Sequence, residues 1–266
     1  MDLGIKGKKA VITGADSGIG WCTAQMLLDE GVQIVVSDQD ADALKENADK
    51  LTGAEGAITA IAADITKQAD VDELHAKAVE ALGTVDILVQ SAGITGAQGM
   101  FHEIDDEGWS KTIEVDLLGP VRLVRAFLPE LRQGGWGRMV LMASEDAEQP
   151  YIDELPYCAA KAGILSLVKG LSKTYASEGV LVNAVSPAFI HTPMTDAMMD
   201  KRADERGTDR DEAIESFLKE DRPFMELGRR GTPEEVASVV TFLCSERASF
   251  VNGSNYRVDS GSVATI

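Results

Sequence analysis

Apolar runs of strand length alternate with helix-length segments along the whole of this 266-residue chain, and that alternation fixes what it can fold into. Lys9 to Thr13, Gln33 to Ser37, Ala57 to Ala62, Val85 to Val89, Arg138 to Met142 and Leu181 to Val185 read as buried strands. Asn255 to Val258 reads as a last, short one. Between them fall helical segments: Ile19 to Glu30, Ala41 to Leu51, Gln68 to Leu82, a long Asp106 to Leu131, Pro156 to Glu178 and Pro233 to Cys244. Repeated βα units join parallel strands by right-handed crossovers, which puts helices on both faces. The expected fold is α/β, a doubly wound parallel sheet in three α/β/α layers. No linker, repeat or low-complexity tract interrupts residues 1–266, so they read as one domain.

Charge and cysteine content narrow the class. The formal net charge is −19, which argues against a nucleic-acid partner, since phosphate binding needs basic patches. The three cysteines, Cys22, Cys158 and Cys244, are widely separated and have no metal-ligand spacing; they read as reduced thiols, and no metal site is expected. No apolar run is long enough to span a bilayer and the N-terminus has no signal pattern, so the expected setting is cytoplasmic, with no membrane partner.

One stretch breaks the βα rhythm. From His191 to Arg230 the chain is densely charged and carries Met194, Met198, Met199 and Met225. It follows the carboxyl end of a strand, where ligands bind in such sheets. It is expected to form a small helical lid over substrate, with methionine as adaptable lining.

The chemistry is concentrated in two places. The first is Thr13-Gly14-Ala15-Asp16-Ser17-Gly18-Ile19-Gly20, at the turn from the first strand into the first helix. Glycines there let a pyrophosphate approach the backbone, and the helix N-terminus favours its charge. Asp38 ends the second strand, 18 residues after Gly20, where a carboxylate can accept from both hydroxyls of an adenosine ribose. A 2′-phosphate there would be repelled, and Asp16 adds a second negative charge, so the expected cofactor is NAD. Asp64 and Ile65, after the third strand, could flank the adenine; an N-cap role for Asp64 is an equal alternative.

The second place is Ser144 with Tyr157 and Lys161. Tyr157 and Lys161 stand four apart, on one face of a helix. Bringing a phenol from about 10 toward neutrality takes roughly 3–4 kcal/mol. One ammonium at about 4 Å supplies roughly 4 kcal/mol at an effective dielectric of 20. Ser144 ends a strand thirteen residues before Tyr157 and can donate to the substrate oxygen while Tyr157 exchanges a proton. Together these groups point to hydride transfer at a carbonyl carbon.

These motifs, with Val182-Asn183-x-Val185-x-Pro187, Gly228-Arg229-x-Gly231-x-Pro233-Glu234-Glu235 and the Asn252-Gly253 to Val258-Asp259 tail, resemble the short-chain dehydrogenase/reductase family over nearly the whole chain. The resemblance implies a Rossmann-like fold. It implies that Ser144 polarises the carbonyl, that Tyr157 is the acid/base, and that Lys161 binds the nicotinamide ribose and lowers the Tyr157 pKa. It adds Ser91, Ala92, Gly93, Pro187, Ile190 and Thr192 to a cofactor set of Gly14, Asp16, Ser17, Gly18, Ile19, Gly20, Asp38, Asp64, Ile65, Tyr157 and Lys161. The chain departs from the family at Gln90-Ser91, where two Asn are usual, and at Asp116, where an Asn supports a proton-relay water; Asp116 joins the catalytic set.

Ile113, Leu117, Val124, Leu128 and Leu131, with Ile164, Leu165, Val168 and Leu171, offer more apolar surface than one sheet face needs, so a homotetramer or dimer is expected. Glu145, Asp146, Glu148, Asp153 and Glu154 crowd the approach to Tyr157 and favour a small neutral or cationic alcohol or ketone over an acidic ligand. The competing readings are a 3-oxoacyl-thioester reductase, whose acidic carrier would dock on Arg122, Arg125, Lys169 and Lys173, and a non-enzymatic nucleotide-binding scaffold.

Overall fold

The computed structural model describes residues 2–265. Seven strands, β1 (Lys9–Thr13), β2 (Gln33–Ser37), β3 (Ile58–Ala60), β4 (Ile87–Gln90), β5 (Gly137–Met142), β6 (Val180–Pro187) and β7 (Asn255–Val258), form one parallel sheet in the order β3-β2-β1-β4-β5-β6-β7. The strands at its centre are covered on both faces, which is why β1, β4 and β5 read as unbroken apolar runs rather than alternating ones. The order reverses between β1 and β4. Thr13 stands level with Ser37 on one side and Gln90 on the other, so the strand ends open a crevice together. Among the described residues no helix is long and apolar enough to cross a membrane.

Helices α1 (Gly18–Asp29), α2 (Ala41–Ala48) and α9 (Pro233–Leu243) belong to one face, where Leu27, Ile34, Leu44, Val236 and Val240 share a core. The opposite face carries α3 (Gln68–Leu82), α4 (Asp106–Ile113), α5 (Gly119–Gln133) and α6 (Leu155–Tyr175). Its core is built on Leu74, Leu123, Phe127, Leu131 and Ile164. Val124, Leu131, Ile164 and Val168, four of the residues expected to pair subunits, are thereby buried within the chain itself, and Leu118 is left exposed beside them.

The long helix expected over 106–131 is interrupted. Between α4 and α5 the backbone widens into a π turn, Glu114–Leu118. Pro120 has no N–H to offer the carbonyl four residues back, and the Gly119 N–H bonds instead to Glu114 O, five back. Such π turns concentrate at functional sites. This one contains Asp116, whose side chain is fully buried.

The segment 191–230 folds into α7 (Pro193–Arg206) and α8 (Arg210–Glu220). Thr192 caps α7 in a reciprocal box with Thr195. Phe189, Met199, Phe217 and Met225 form a small separate core beneath these helices. The methionines are therefore not a common cleft lining: Met199 and Met225 are packing residues, Met198 leans on the same core, and Met194 alone of the four reaches the cleft.

Candidate active site

A cleft of about 450 Å³ lies at the carboxyl ends of the central strands. Of the residues expected there, Gly14, Asp16, Ser17, Gly18, Ile19, Asp38, Asp64, Ile65, Ser91, Ala92, Gly93, Asp116, Ser144, Tyr157, Lys161, Pro187, Ile190 and Thr192 all line it. Gly20 does not. It is buried one turn into α1, where a Cβ would overlap the Gly14 carbonyl, so its smallness lets the helix close on the turn. Gly14 has φ +70°, and a Cβ there would strike the Ala92 amide nitrogen, so the two loops pass backbone to backbone. Ser17 precedes α1 without making a side-chain cap bond, which leaves the first N–H groups of the helix free to meet an anion.

Asp38 accepts a hydrogen bond from Gln39 N at 2.7 Å. Burial, and next the nearby Asp16 carboxylate, push its pKa above the usual aspartate value. Lys111 and Lys161 are the cationic side chains of the cleft among the described residues, and Lys161 is tied to Asp116. Asp64 is used locally: Oδ1 accepts from Thr66 N at 2.9 Å and Thr66 Oγ1 at 2.7 Å, and Oδ2 faces Lys67 Nζ at 3.2 Å. The N-cap of α3 is Lys67, so the capping alternative for Asp64 does not hold. Gln90 turns its side chain under the loop, where Nε2 donates to Ala92 O at 2.6 Å.

Ser144, at the end of β5, and Tyr157 and Lys161, one turn apart on α6, meet at the other end of the cleft. Lys161 Nζ donates to Met142 O at 3.2 Å, lies 3.4 Å from Asp116 Oδ1, and stands 5.3 Å from the Tyr157 ring centroid. Asp116 Oδ1 also accepts from Ile94 N at 3.2 Å, while Oδ2 is buried without a partner among the described residues. A Cβ on Gly93 would sit 2.7 Å from Asp116 Oδ1, so glycine there admits the carboxylate. Burial raises the Asp116 pKa against the opposing pull of Lys161.

Tyr157 corrects an expectation. Its pKa is not lowered but held well above the ordinary phenol value, first by burial, then by the charges of Asp146 and Asp116, with Ser144 opposing them. Asp116 offsets the ammonium that was to do the lowering.

The acidic loop before Tyr157 is a second correction. Glu148 and Asp153 are exposed, and none of the five carboxylates lines the cleft. Glu145 and Asp146 are buried, Glu154 nearly so, around the buried guanidinium of Arg222. Arg222 Nε bonds Glu145 Oε1 at 3.1 Å, NH2 lies 3.6 Å from Glu154 Oε2, and the guanidinium stacks 3.4 Å from the Tyr151 ring centroid. Ser144 Oγ donates to Asp146 Oδ1 at 3.0 Å. Cys158 Sγ packs 3.9 Å from Asp146 Oδ2, and burial lifts its thiol to about 12. Sequence spacing gave no signal for Arg222, which stands 77 residues from Glu145. His191 is exposed, 3.4 Å from Asp196, and does not reach the cleft.

A family model described as enoyl-(acyl carrier protein) reductase matches residues 14–263. The cis-4-hydroxycyclohexanecarboxylate dehydrogenase of Sinomonas cyclohexanicum is 34% identical, with 96% of each chain covered. L-Sorbose reductase from Gluconobacter frateurii, solved with NADPH and L-sorbose, is 34% identical and superposes with a TM-score of 0.92 over 100% of both chains. A 3-ketoacyl-(acyl-carrier-protein) reductase from Brucella melitensis, solved with NADH, is 28% identical with a TM-score of 0.85, covering 97% of this chain and 99% of that one. The chain belongs to the short-chain dehydrogenase/reductase family and is an oxidoreductase of that family.

Proposed function

We propose that this protein interconverts a secondary alcohol and a ketone with NAD(H), on a small neutral substrate. The observation that carries the reading is one cleft with Ser144, Tyr157 and Lys161 at one end and the paired carboxylates Asp16 and Asp38 at the other. The uncapped start of α1 and the close passage of Gly14 past Ala92 fit a pyrophosphate held by backbone N–H groups. Asp38 would hold the adenosine ribose hydroxyls, and a 2′-phosphate would meet two negative charges. Bound nicotinamide supplies the hydride acceptor or donor. Tyr157 then exchanges the proton of the substrate oxygen, Ser144 orients that oxygen, and Lys161, steadied by Asp116 and Met142 O, holds the nicotinamide ribose.

With the acidic loop withdrawn around Arg222, none of its five carboxylates lines the cleft to favour a cationic substrate. The thioester-reductase alternative loses support on the surface. Arg122 is spent on Glu114 and Arg125 donates to Gln68 Oε1, so two of the four cations proposed for a carrier are engaged. The test is a panel of alcohols, polyols and hydroxyacyl thioesters assayed with NAD⁺ and NADP⁺. NAD⁺-linked oxidation of an alcohol or polyol is the expected result; turnover confined to thioesters with NADP(H) would overturn the reading.

A further inference from the structure

The lid sends one side chain into the loop between the two catalytic hydroxyls. That loop, residues 145–154, joins Ser144 to the start of α6, where Tyr157 stands. Glu145 follows Ser144 directly and is buried. Glu154 closes the loop: its carbonyl accepts from Cys158 N at 3.0 Å and so opens the first turn of α6 around Tyr157. Arg222, the second residue after α8, is buried too. Its Nε donates to Glu145 Oε1 at 3.1 Å, and its NH2 lies 3.6 Å from Glu154 Oε2. Among the described residues it alone pairs with both. Resting on the functional reading above, we propose that Arg222 is a positioning residue for the reaction: carried by the lid, it pins both ends of the Ser144–Tyr157 loop and so sets the spacing of the two hydroxyls that meet the substrate oxygen.

The guanidinium is held on every side. NH1 donates to Asp221 O at 3.1 Å, and the group lies 3.4 Å from the Tyr151 ring centroid and 4.8 Å from that of Phe217. All three nitrogens of this planar group are thus engaged, against two rings. Its backbone is fixed as well: Arg222 N donates to Phe217 O at 3.1 Å, and Met225 N donates to Arg222 O at 3.1 Å. Phe217 and Met225 belong to the lid core, so that core and the loop share one residue. Other bonds hold the loop at single points: Gly99 N to Asp153 O at 2.9 Å, Gln98 Nε2 to Glu154 Oε1 at 3.1 Å, and Gln149 Nε2 to Ser262 O at 3.0 Å. Arg222 ties two.

Ser144 and Tyr157 must reach one substrate oxygen together, and a misplacement of about 1 Å costs on the order of a hundredfold in rate. They come from different elements, and the loop between them is where their spacing can slip. The adenosine end does not depend on that loop. Gly14, Gly18 and Asp38 belong to the β1–α1 turn and the end of β2, which Arg222 does not contact. Loss of Arg222 therefore lowers kcat far more than it lowers affinity for NADH. A second cavity of about 280 Å³, lined by Tyr151, Glu154, Phe217, Arg222 and the exposed Ile152 and Asp153, reaches the guanidinium. A free guanidinium ion can therefore enter where the side chain has been removed.

The test compares wild type, Arg222→Ala and Arg222→Lys below their melting midpoints, by steady-state kinetics, NADH titration and amide hydrogen exchange. Arg222→Ala should cut kcat by about tenfold or more, with the NADH Kd held within about twofold. Exchange should quicken by about tenfold or more across residues 145–154 and stay unchanged in the Gly14–Gly20 turn. Guanidinium chloride at tens of millimolar should restore part of the lost kcat, where sodium chloride does not. Arg222→Lys keeps a cation for the buried carboxyls and carries the same test should Arg222→Ala fail to fold. Lacking the planar fork that spans Glu145 and Glu154, it should lose kcat several-fold and quicken the same loop. Wild-type kcat with unchanged loop exchange in folded Arg222→Lys overturns the proposal, as does loss of NADH binding in step with kcat, or rescue matched by sodium chloride. Wild-type turnover no higher than a Tyr157→Phe baseline overturns the functional reading instead, and the proposal with it.

Discussion

At one end of the cleft the wall is mostly backbone; at the other it is mostly buried charge. The Gly14–Gly20 turn and the start of α1 present N–H groups and bare Cα atoms, and their geometry follows from glycine and from the strand-to-helix turn. Around Ser144 and Tyr157 the wall is made by Asp116, Lys161, Asp146, Glu154 and Arg222, ionisable groups gathered from four separated segments. A backbone site binds through dipoles that do not titrate. A site of buried charges is set by which protons are present, so its chemistry and its stability should both move with pH. Tyr157 tests this most directly. Tyr157→Phe should lower turnover by at least about a hundredfold while NADH still binds, because only the proton-transfer group is lost. Steady-state kinetics beside NADH fluorescence titration would show it, and a mutant near wild-type rate would erase the distinction between the two ends.

Arg222 sharpens the same contrast through stability. It is 8% exposed, and removing it leaves Glu145, Asp146 and Glu154 without their cation. Arg222→Met should cost about 3–5 kcal/mol, the usual penalty for breaking a buried pair. The sign with pH follows from the carboxyl. The folded pKa of Glu154 is raised from 4.5 to about 8, so its contribution is fully present below 4.5 and is lost as pH climbs through about 8. Thermal midpoints should fall between about pH 5 and about pH 9, Glu154→Gln should flatten that slope, and Arg222→Met should be most damaging at the alkaline end. No such pH dependence is expected from changes at Gly14 or Gly20.

The adenosine end makes a smaller, electrostatic claim. NAD⁺ should be preferred over NADP⁺ in kcat/KM by about tenfold or more, since each 1.4 kcal/mol of repulsion is a factor of ten. Asp38→Ser should narrow the ratio without changing the pH profile. Equal efficiency with NADP⁺ in wild type would mean that Lys111, at the edge of the cleft, outweighs the two carboxylates.

What could be read from sequence divides along the same line. The parallel sheet with helices on both faces and the glycine turn follow from periodicity and from residues within one βα unit, whereas the strand order is seen only in the structure. The π turn, the Met199–Phe217 core and the Arg222 cluster depend on which distant segments meet, and spacing carries no record of that. The acidic loop shows the limit: Glu148 and Asp153 are solvated as a charge run suggests, whereas Glu145 and Asp146 are buried by an arginine from beyond α8.

Asp116 tests the smallest effect, where the two kinds of wall touch. Its Oδ1 accepts from the backbone of Ile94 and faces Lys161, so it belongs to the loop that frames the cofactor end and to the ion pair at the reacting end. As a charge it holds the Lys161 ammonium in place and at the same time raises the Tyr157 pKa. Asn in its place would keep an acceptor for Ile94 N and remove the charge. Asp116→Asn should therefore shift the apparent pKa for alcohol oxidation downward, by about one unit or less, with kcat at the plateau kept within a few-fold. An unchanged apparent pKa would mean that Asp116 is protonated in the working enzyme and acts on the loop alone. That outcome would move Asp116 from the titrating wall to the structural one.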